Sequence, residues 1–418
     1  MVSVLPALDG LPPAAYAAAL AGLPGVGPGW RVAVLAERSP REAWAAVLAG
    51  EIGPPVRGRP RPGAHEWAGA AGRLDVAGQW ERCRRAGIGV CWPGSPGYPD
   101  VLGQGPAPAG VLFSAGALDR LGDRRRVAIV GTRRCTPDGT DIAYRLGYDL
   151  ADAGVCVISG LALGIDGAAH AGALAAGREA GDRSGGDGGD GGEVDGPVVG
   201  GTVGVAASGV DVVYPRQHAG LWREMVRVGA ILSETPPGHP AQAWRFPSRN
   251  RLIAGLAEIV VVVECHSKGG SWHTVEAAIK RGVEVGAVPG SVRSAASVGT
   301  NRLLHEGATP VRGAQDVLDA LGVFDVLRAR PQASGPTSPT SPASPASPAS
   351  PASPASASGP MRTMEDVVLA AVGWRPLCLD EVVERSGLPL AAVVIALDHL
   401  EEKGALGAEE GWWVRKAH

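Results

Sequence analysis

Short runs of valine, isoleucine and alanine recur through the middle of the chain and dominate its hydrophobic pattern. Each run is followed by a loop containing Gly, Pro or Asp, and usually then by a stretch of helical periodicity. Such runs are typical of parallel strands buried on both faces and joined by helical crossovers. They predict an α/β fold with a doubly wound core over residues 126–330, which would bind ligands at the carboxyl ends of its strands. The runs are Val127–Val130, Val155–Ile158, Val203–Ala207, Ile231–Ser233, Ile259–Val263 and Val283–Val288.

The first 60 residues have a helical pattern instead. An alanine-rich helix over Pro12–Leu23 is followed by the turn Leu23–Pro28, which contains a G-x-G sequence, and by a second helix through Arg41–Leu48. This arrangement predicts a helix-hairpin-helix-like domain over 1–60. The turn could touch a DNA phosphate, or it could simply join two packed helices. Residues 61–125 have a mixed pattern and lead into the core.

Two low-complexity segments interrupt the chain. The acidic, glycine-rich stretch around Asp182–Gly192 predicts a disordered insert over about 178–200. Repeated Ser-Pro-Ala over 331–360 predicts an extended linker and a domain boundary. Residues 361–418 then form a separate unit, predicted to be a winged helix-turn-helix. Its elements would be helices at Thr363–Val372, Leu379–Ser386 and Pro389–Lys403 and a strand at Trp412–Val414.

Charge limits where a polyanion could bind. The formal net charge is −3, and residues 124–330 contain 22 basic and 22 acidic residues. A nucleic-acid site therefore needs a local basic patch. The predicted winged helix has six basic against ten acidic residues, and its third helix, Pro389–Glu402, has no Lys or Arg. We therefore expect this module to contact protein or its own chain rather than duplex DNA.

The six cysteines have no metal-ligand spacing, and no signal peptide or run of about 20 apolar residues is present. These features predict a cytoplasmic protein that contacts no membrane. Sequence motifs for ATP hydrolysis, acyl transfer and metal catalysis are also missing. We therefore expect no enzymatic activity, no metal and no cofactor.

Four loops of the predicted core could each bind an anion. Helix N-termini carry partial positive charge, glycine allows close approach to the backbone, and Arg or Lys supplies a full charge. Four such loops on one rim of the sheet suit a phosphodiester backbone better than a mononucleotide. The loops are Gly131–Arg134, Ser159–Asp166, Phe246–Arg251 and Lys268–Ser271.

Several of these side chains have a second interpretation. Arg249 and Arg251 stand at a predicted helix start, where basic residues are disfavoured unless an anion binds there. They could still be solvated charges. Phe246 could stack on a base or plug the core. Asp166 is interpreted as a helix N-cap rather than as a catalytic acid.

The loops and the motifs around them resemble the DprA/Smf family, in order, over about 190 residues. The family pattern includes V-G-[ST]-R, S-G-x-A-x-G-I-D-x-x-A-H and F-P-x-R-N-R-[IL]-I-A-G-L. The matching segments are Val130–Arg133, Ser159–His170, Gly209–Pro215, Ser233–Pro236, Phe246–Leu256, Val262–Glu264, Val288–Gly290 and Gly299–Ala308.

The resemblance implies an extended Rossmann-like core that binds single-stranded DNA, forms a homodimer and loads a RecA-type recombinase during natural transformation. It also implies a sterile-alpha-motif-like N-terminal region and a C-terminal winged helix. The DNA-contacting positions it implies are Arg133, Ser159, Gly160, Phe246, Arg249, Asn250 and Lys268. The loop chemistry adds Arg251 and Ser271.

The chain departs from the family pattern at the last loop, where the bulky Trp272 and His273 follow Ser271. The same loop faintly resembles that of nucleoside-monophosphate phosphoribohydrolases, which are Rossmann-like enzymes with a catalytic glutamate. Glu276 would be that glutamate, although its spacing differs and Lys268 replaces the leading proline. A phosphoribohydrolase is therefore the alternative hypothesis.

Overall fold

The protein divides into two compact units, Met1–Gln332 and Ala333–His418. Among the residues described, no helix is both long enough and apolar enough to cross a bilayer. The computed structural model describes residues 10–24, 27–52, 64–118, 122, 124–184, 201–267, 269–323, 363–372, 377–409 and 412–415.

Within the described part of the first unit, nine strands form one mixed sheet in the order β1-β2-β6-β5-β4-β3-β7-β8-β9. The seven strands from β6 to β9 along this order are parallel, and β1 and β2 pair antiparallel at the β6 end. The strands are β1 (Gly89–Cys91), β2 (Leu112–Gly116), β3 (Arg126–Val130), β4 (Cys156–Ser159), β5 (Thr202–Val205), β6 (Ala230–Ser233), β7 (Ile259–Val262), β8 (Glu284–Ala287) and β9 (Thr309–Pro310).

The predicted doubly wound core is confirmed, and its six valine-rich runs are β3 to β8 with small shifts at their ends. All residues of β4, β5, β6 and β7 are buried, because helices cover both faces of the sheet. Three strands of this sheet were not predicted. β1 and β2 lie in the segment of mixed pattern, and β9 has only two residues, too few for a periodicity signal.

Helices cover the two faces of the sheet. Helices α6, α7 and α12 pack on one face through a core that includes Ile129 and Val157. Helices α9 and α10 pack on the other through Ala128, Ile158 and Leu252. The helices of this unit are α1 (Pro13–Ala21), α2 (Pro28–Glu37), α3 (Pro40–Leu48), α4 (Ala64–Gly72), α5 (Val76–Arg85), α6 (Pro137–Asp152), α7 (Ile165–Ser184), α8 (Ala219–Val228), α9 (Arg245–Leu256), α10 (Ser271–Arg281), α11 (Val298–His305) and α12 (Ala314–Ala320).

The chain reverses its direction across the sheet at β3. Successive strands β3, β4, β5 and β6 step one way, and α9 then carries the chain back to β7 on the other side of β3. In open α/β sheets, ligands bind at this switch point, outside the carboxyl ends of the strands. The loops after β3 and β7 and the start of α9 all lie at this edge.

The N-terminal helices pack against the β1–β2 end of the sheet in one core that includes Tyr16, Trp44 and Phe113. The predicted second helix is wrong in extent, because the chain after the turn forms two helices, α2 and α3. Ser39 and Pro40 cause the break: Ser39 caps α3 in a reciprocal arrangement with Glu42, and Pro40 occupies its first position. Gly25 and Val26 of the G-x-G turn lie outside the described residues.

The predicted insert also needs a correction, because α7 continues to Ser184. The first part of the segment 178–200 is therefore helical, and residues 185–200 lie outside the described part of the chain.

The winged helix is confirmed in the second unit. Its described elements have their own core, which includes Val368, Val382 and Leu397. Strands β10 and β11 flank β12 in an antiparallel sheet. The elements are α13 (Met364–Val372), β10 (Leu377–Cys378), α14 (Leu379–Ser386), α15 (Leu390–Glu402), β11 (Leu406–Glu409) and β12 (Trp412–Arg415).

Candidate nucleic-acid interface

A cleft of about 460 Å³ opens at the switch point, and we call it the switch-point cleft. One wall is the β3 loop with Gly131 and Arg133, and another is the start of α9 with Phe246 and Arg249. Residues 269–271 and His273, at the start of α10, form a third wall. The topology therefore brings three of the four predicted anion loops to one cleft. The fourth, over 159–166, contributes Ala162 and Asp166.

Phe246 lies at the mouth of this cleft between a cation and a second ring. The Arg133 guanidinium carbon stands 5.1 Å from the centre of the Phe246 ring, and the Tyr214 ring is 5.5 Å away at a tilt of 52°. Phe246 is only half-buried and is not part of a core cluster. Of its two interpretations, the structure favours an aromatic ring presented at the cleft.

Arg249 is the buried cation of the site. Only 6% of the residue is exposed, and its Nε and Nη1 atoms have no hydrogen-bond partner among the described residues. Burial lowers the pKa of Arg249 to about 10; nearby Asp166 opposes this shift and Arg133 adds to it. The guanidinium is therefore still charged at neutral pH, and it lacks the acceptors that a buried charge normally has.

Asp166 shapes the loop beside Arg249. Its carboxylate accepts hydrogen bonds from the backbone N–H groups of Gly160 at 3.1 Å and Ala162 at 3.4 Å. Asp166 therefore stabilises the loop before α7 and is not the predicted N-cap of that helix. Burial raises the pKa of Asp166, while Arg249 and the two backbone hydrogen bonds act in the opposite direction. Leu161, between the two bonded amides, has a φ of +59°, in the left-handed region.

A small pocket of about 50 Å³ continues the cleft over this loop, and we call it the connecting pocket. Gly160 and Leu161 lie on one side of it, Tyr214 and Phe246 on the other, and Arg249 lines it as well as the switch-point cleft. Gly160 has no room for a side chain: an added Cβ would lie 1.5 Å from Nη1 of Arg249. Glycine is required here so that the guanidinium can cross the loop.

Backbone amides contribute less than expected. The Gly160 amide is bonded to Asp166, and the first two amides of α9, at Arg245 and Phe246, donate to the carbonyls of Gln242 and Ala243. The positive potential of the site therefore comes mainly from arginine side chains, not from open amides.

Asn250 and Ser271 line the switch-point cleft, and their side chains support its walls through hydrogen bonds. The side-chain amide of Asn250 donates to the Gly270 carbonyl at 3.0 Å, which ties α9 to the loop before α10. The Ser271 hydroxyl lies 3.0 Å from the Cys265 thiol and is buried. Both side chains therefore hold the walls in place.

Two predicted DNA contacts are poorly placed for that role. The Ser159 side chain is fully buried and donates to the Ile129 carbonyl at 2.5 Å, so it stabilises the end of β4. Arg251 lies outside the switch-point cleft; it donates to the Ala107 carbonyl and forms an ion pair with Glu234. Because α9 turns by about 100° per residue, Arg249 and Arg251 face different directions. Lys268 lies outside the described residues.

The bulky residues of the last loop leave the switch-point cleft open. The Trp272 indole donates to the His266 carbonyl at 3.1 Å and packs against Arg302 and the core. His273 points along the cleft wall and is half exposed.

Sequence reasoning missed some aromatic and basic residues of this edge. Tyr214 was given no functional role from sequence but stands beside Phe246. The exposed Arg134, which ends the first predicted anion loop, lines the switch-point cleft. Trp244 and Arg245 come just before the Phe246 motif; Trp244 is 64% exposed. An exposed tryptophan next to an arginine could have been noticed as a surface contact.

Among the residues the structure describes, no group of three or more His, Cys, Asp or Glu side chains is placed to hold a metal ion. Comparison with family models then gives a match to DNA recombination-mediator protein A over residues 89–186 and 192–322, more than half of the chain. The chain belongs to this family. A second model, the DprA winged helix domain, matches residues 341–411.

A curated relative and a solved structure from Streptococcus pneumoniae agree with this assignment. The DNA processing protein DprA of Bacillus subtilis is 35% identical over 59% of this chain and 76% of its own length. The X-ray structure of DprA from Streptococcus pneumoniae aligns with a TM-score of 0.53 at 31% identity, covering 62% of this chain and 82% of the other. A DprA structure from Helicobacter pylori, whose single-stranded DNA binding mode is described, is 26% identical with a TM-score of 0.45 and covers 56% and 95%.

Other motifs shared with the DprA family maintain the fold. Glu264, after β7, accepts hydrogen bonds from the backbone N–H and hydroxyl of Thr136 and so fixes the start of α6. Asn301 forms reciprocal hydrogen bonds with the backbone of Gly290, at 3.0 and 3.2 Å. These family motifs therefore hold the β3, β7 and β8 loops in register around the switch-point cleft.

Proposed function

We propose that this chain binds single-stranded DNA along the switch-point cleft and the connecting pocket. Arg249 is the observation that carries the proposal: a buried, charged guanidinium with two unpartnered nitrogens lines both spaces. A phosphate would supply the missing acceptors, and charge-assisted hydrogen bonds to phosphate are among the stronger polar contacts in proteins. The exposed Arg133 and Arg134 would hold neighbouring phosphates.

The aromatic residues favour a single strand over a duplex. Phe246 borders both spaces beside the Arg133 guanidinium, and Tyr214, next to Phe246, lines the connecting pocket. Rings in such positions stack on unpaired bases, whose faces are covered by neighbours in a duplex. Stacking and phosphate contacts do not read base edges, so we expect slight sequence preference.

Recombinase loading and dimerisation are further parts of the proposal. Membership of the recombination-mediator family supports a role in placing a RecA-type recombinase on single strands, with a homodimer as the working form. ATP hydrolysis by the recombinase on strands coated with single-strand-binding protein should rise when this chain is added. An Arg133→Ala chain should give a smaller rise.

We propose that the protein acts by binding, without catalysis of its own. The phosphoribohydrolase alternative is not favoured, because Glu276 does not line the switch-point cleft. Its side chain is 59% exposed and faces a different surface, beside Lys280 and Arg281. A catalytic glutamate would have to reach a nucleotide bound at the switch point.

Binding of oligo-dT by Arg133→Ala tests the site. Arg133 is exposed at the cleft, so its loss should weaken binding and lower the slope of log K against log salt by about 0.7 for each lost phosphate contact. Fluorescence anisotropy at several salt concentrations gives both quantities.

Arg145→Ala is the matched control. It removes the same charge from an exposed position on α6, where Arg145 pairs with Asp141. Its slope should equal that of the unmodified protein. If an Arg133→Ala, Lys268→Ala double variant binds like the unmodified chain, the assigned site is wrong.

A further inference from the structure

A second cleft, of about 380 Å³, lies between the N-terminal helices and the α/β core, and we call it the N-terminal cleft. Residues 21–24, at the end of α1, and Pro28, at the start of α2, form one wall. Ala206 and Ala207, after β5, and the residues around Trp244 form the other. The described residues on either side of the predicted turn, Pro24 and Pro28, are therefore next to the edge that carries the anion loops.

This cleft joins the connecting pocket. Ala206, Ala207 and Arg249 line both spaces, and Arg249 lines the switch-point cleft as well. One buried guanidinium with two unpartnered nitrogens thus borders all three. A chain of phosphates can pass over such a residue, whereas a single small anion would need only one of these spaces.

The N-terminal cleft has an aromatic surface of its own. The Trp244 ring is 64% exposed, and its indole N–H donates to the Gln242 side chain at 2.8 Å, which fixes its orientation. The Arg245 guanidinium lies 5.0 Å from the ring centre and donates to the Pro240 carbonyl. An ordered indole beside an arginine is a suitable surface for a base and its phosphate.

The charge of the cleft favours an anion. Its one acidic lining residue, Glu234, is already paired with Arg251, so Arg245 and Arg249 add net positive charge. Helices α2 and α9 both begin at this cleft, and neither has an acidic residue in its first turn. The N-terminus of α2 therefore adds positive potential that no side chain of its first turn neutralises, whereas the first amides of α9 are already bonded to Gln242 and Ala243.

We infer that the N-terminal cleft is a second nucleotide subsite, in which a base of the single strand stacks on Trp244 while its phosphate lies between Arg245 and Arg249. This inference rests on the proposed single-strand binding and extends it. The strand runs from the switch-point cleft over Arg249 to a wall provided by the N-terminal helices. The volume of the N-terminal cleft is within the range of small-molecule sites. The cleft is lined by the apolar residues Leu23, Pro24 and Pro236, which suit a base.

A length series of oligo-dT with Trp244→Ala tests the subsite. Removing a stacking ring should weaken binding of long oligonucleotides about tenfold. The shortest oligonucleotides, held at the switch-point cleft, should be unaffected. Trp244→Phe should retain most of the affinity. Tyr144→Ala, which removes an exposed ring on α6, is the control. It should change the affinity for neither long nor short oligonucleotides.

Photo-cross-linking of oligonucleotides carrying 5-iodouracil gives a second measurement. Adducts should form at Trp244 and on the peptide containing Leu23 and Pro24. Equal binding by Trp244→Ala and the unmodified chain at every length, or cross-links confined to Phe246, would overturn the subsite. Failure of the unmodified chain to bind any oligo-dT would instead refute the proposed function.

Discussion

At the residue scale, the site depends on one buried charge. Arg249 crosses the loop at Gly160 with only Asp166 nearby to offset its charge, and Asp166 is itself bonded to backbone amides. Most buried cations in folded proteins are paired, because an unpaired one is costly. The arrangement is understandable if a phosphate completes it, so ligand binding and stability are coupled here.

Gly160→Ala should disable this cation without removing it. The new methyl group would overlap Nη1 and Cζ of Arg249, at 1.5 and 2.5 Å, and would displace the guanidinium. Loss of a charge-assisted contact costs about 1.5–3 kcal/mol, so oligo-dT affinity should fall at least about tenfold. Adding Arg249→Ala should cause little further loss, because both changes remove the same contact.

Gly177→Ala is the control for this substitution. Gly177 is an exposed residue of α7 with open space around its Cα, so the change should leave binding intact. Anisotropy titrations measure all three variants. Affinity of Gly160→Ala equal to that of the unmodified chain would mean that Arg249 does not contact DNA.

At the element scale, the winged helix differs from a duplex-binding module. The exposed residues of α15 include Val394, Ile395 and Asp398, and the helix contains no Lys or Arg. Glu365 of α13 lies within ion-pair distance of both His399 and Lys403, near the end of α15. These two basic groups therefore already have an acidic partner within the protein. Since phosphate neutralisation drives DNA affinity, this surface is a poor partner for a duplex.

Residues 361–418 alone should therefore give no gel shift with duplex DNA, even at low salt. The unit has its own core and sheet, so it can be tested in isolation once circular dichroism shows that it is folded. Asp398→Arg, which places a cation on the exposed face, tests whether acidity is the cause and should increase any residual binding. A tight complex with the unmodified unit would refute the prediction.

The elements that could be predicted from sequence are those whose patterns are local. Buried parallel strands such as β3 and β7 are continuous apolar runs, and α13 of the winged helix has a clear cap, in which Thr363 and Asp366 exchange hydrogen bonds. The break between α2 and α3 was missed although the polar run Glu37–Glu42, with Ser39 and Pro40, marks a helix start there. Strands β1 and β2 were missed because they are short, with three and five residues, and neither is a continuous apolar run.

At the scale of the whole molecule, the topology explains why distant motifs form one site. Loops separated by more than a hundred residues meet because parallel strands place their carboxyl ends at one edge. Which loops share that edge could be predicted from sequence. Sequence could not predict the directions in which Arg249 and Arg251 point, or the burial of Ser159. Those properties depend on packing between elements.

The most direct test of the account is the salt-dependent binding of oligo-dT and a duplex of equal length by the full chain. A strand that crosses three adjoining spaces should contact at least three phosphates, so the single-strand slope should be about −2 or steeper. We predict tighter binding of oligo-dT at every salt concentration. Equal or tighter binding of the duplex, or a single strand that is not bound at low salt, would contradict the account.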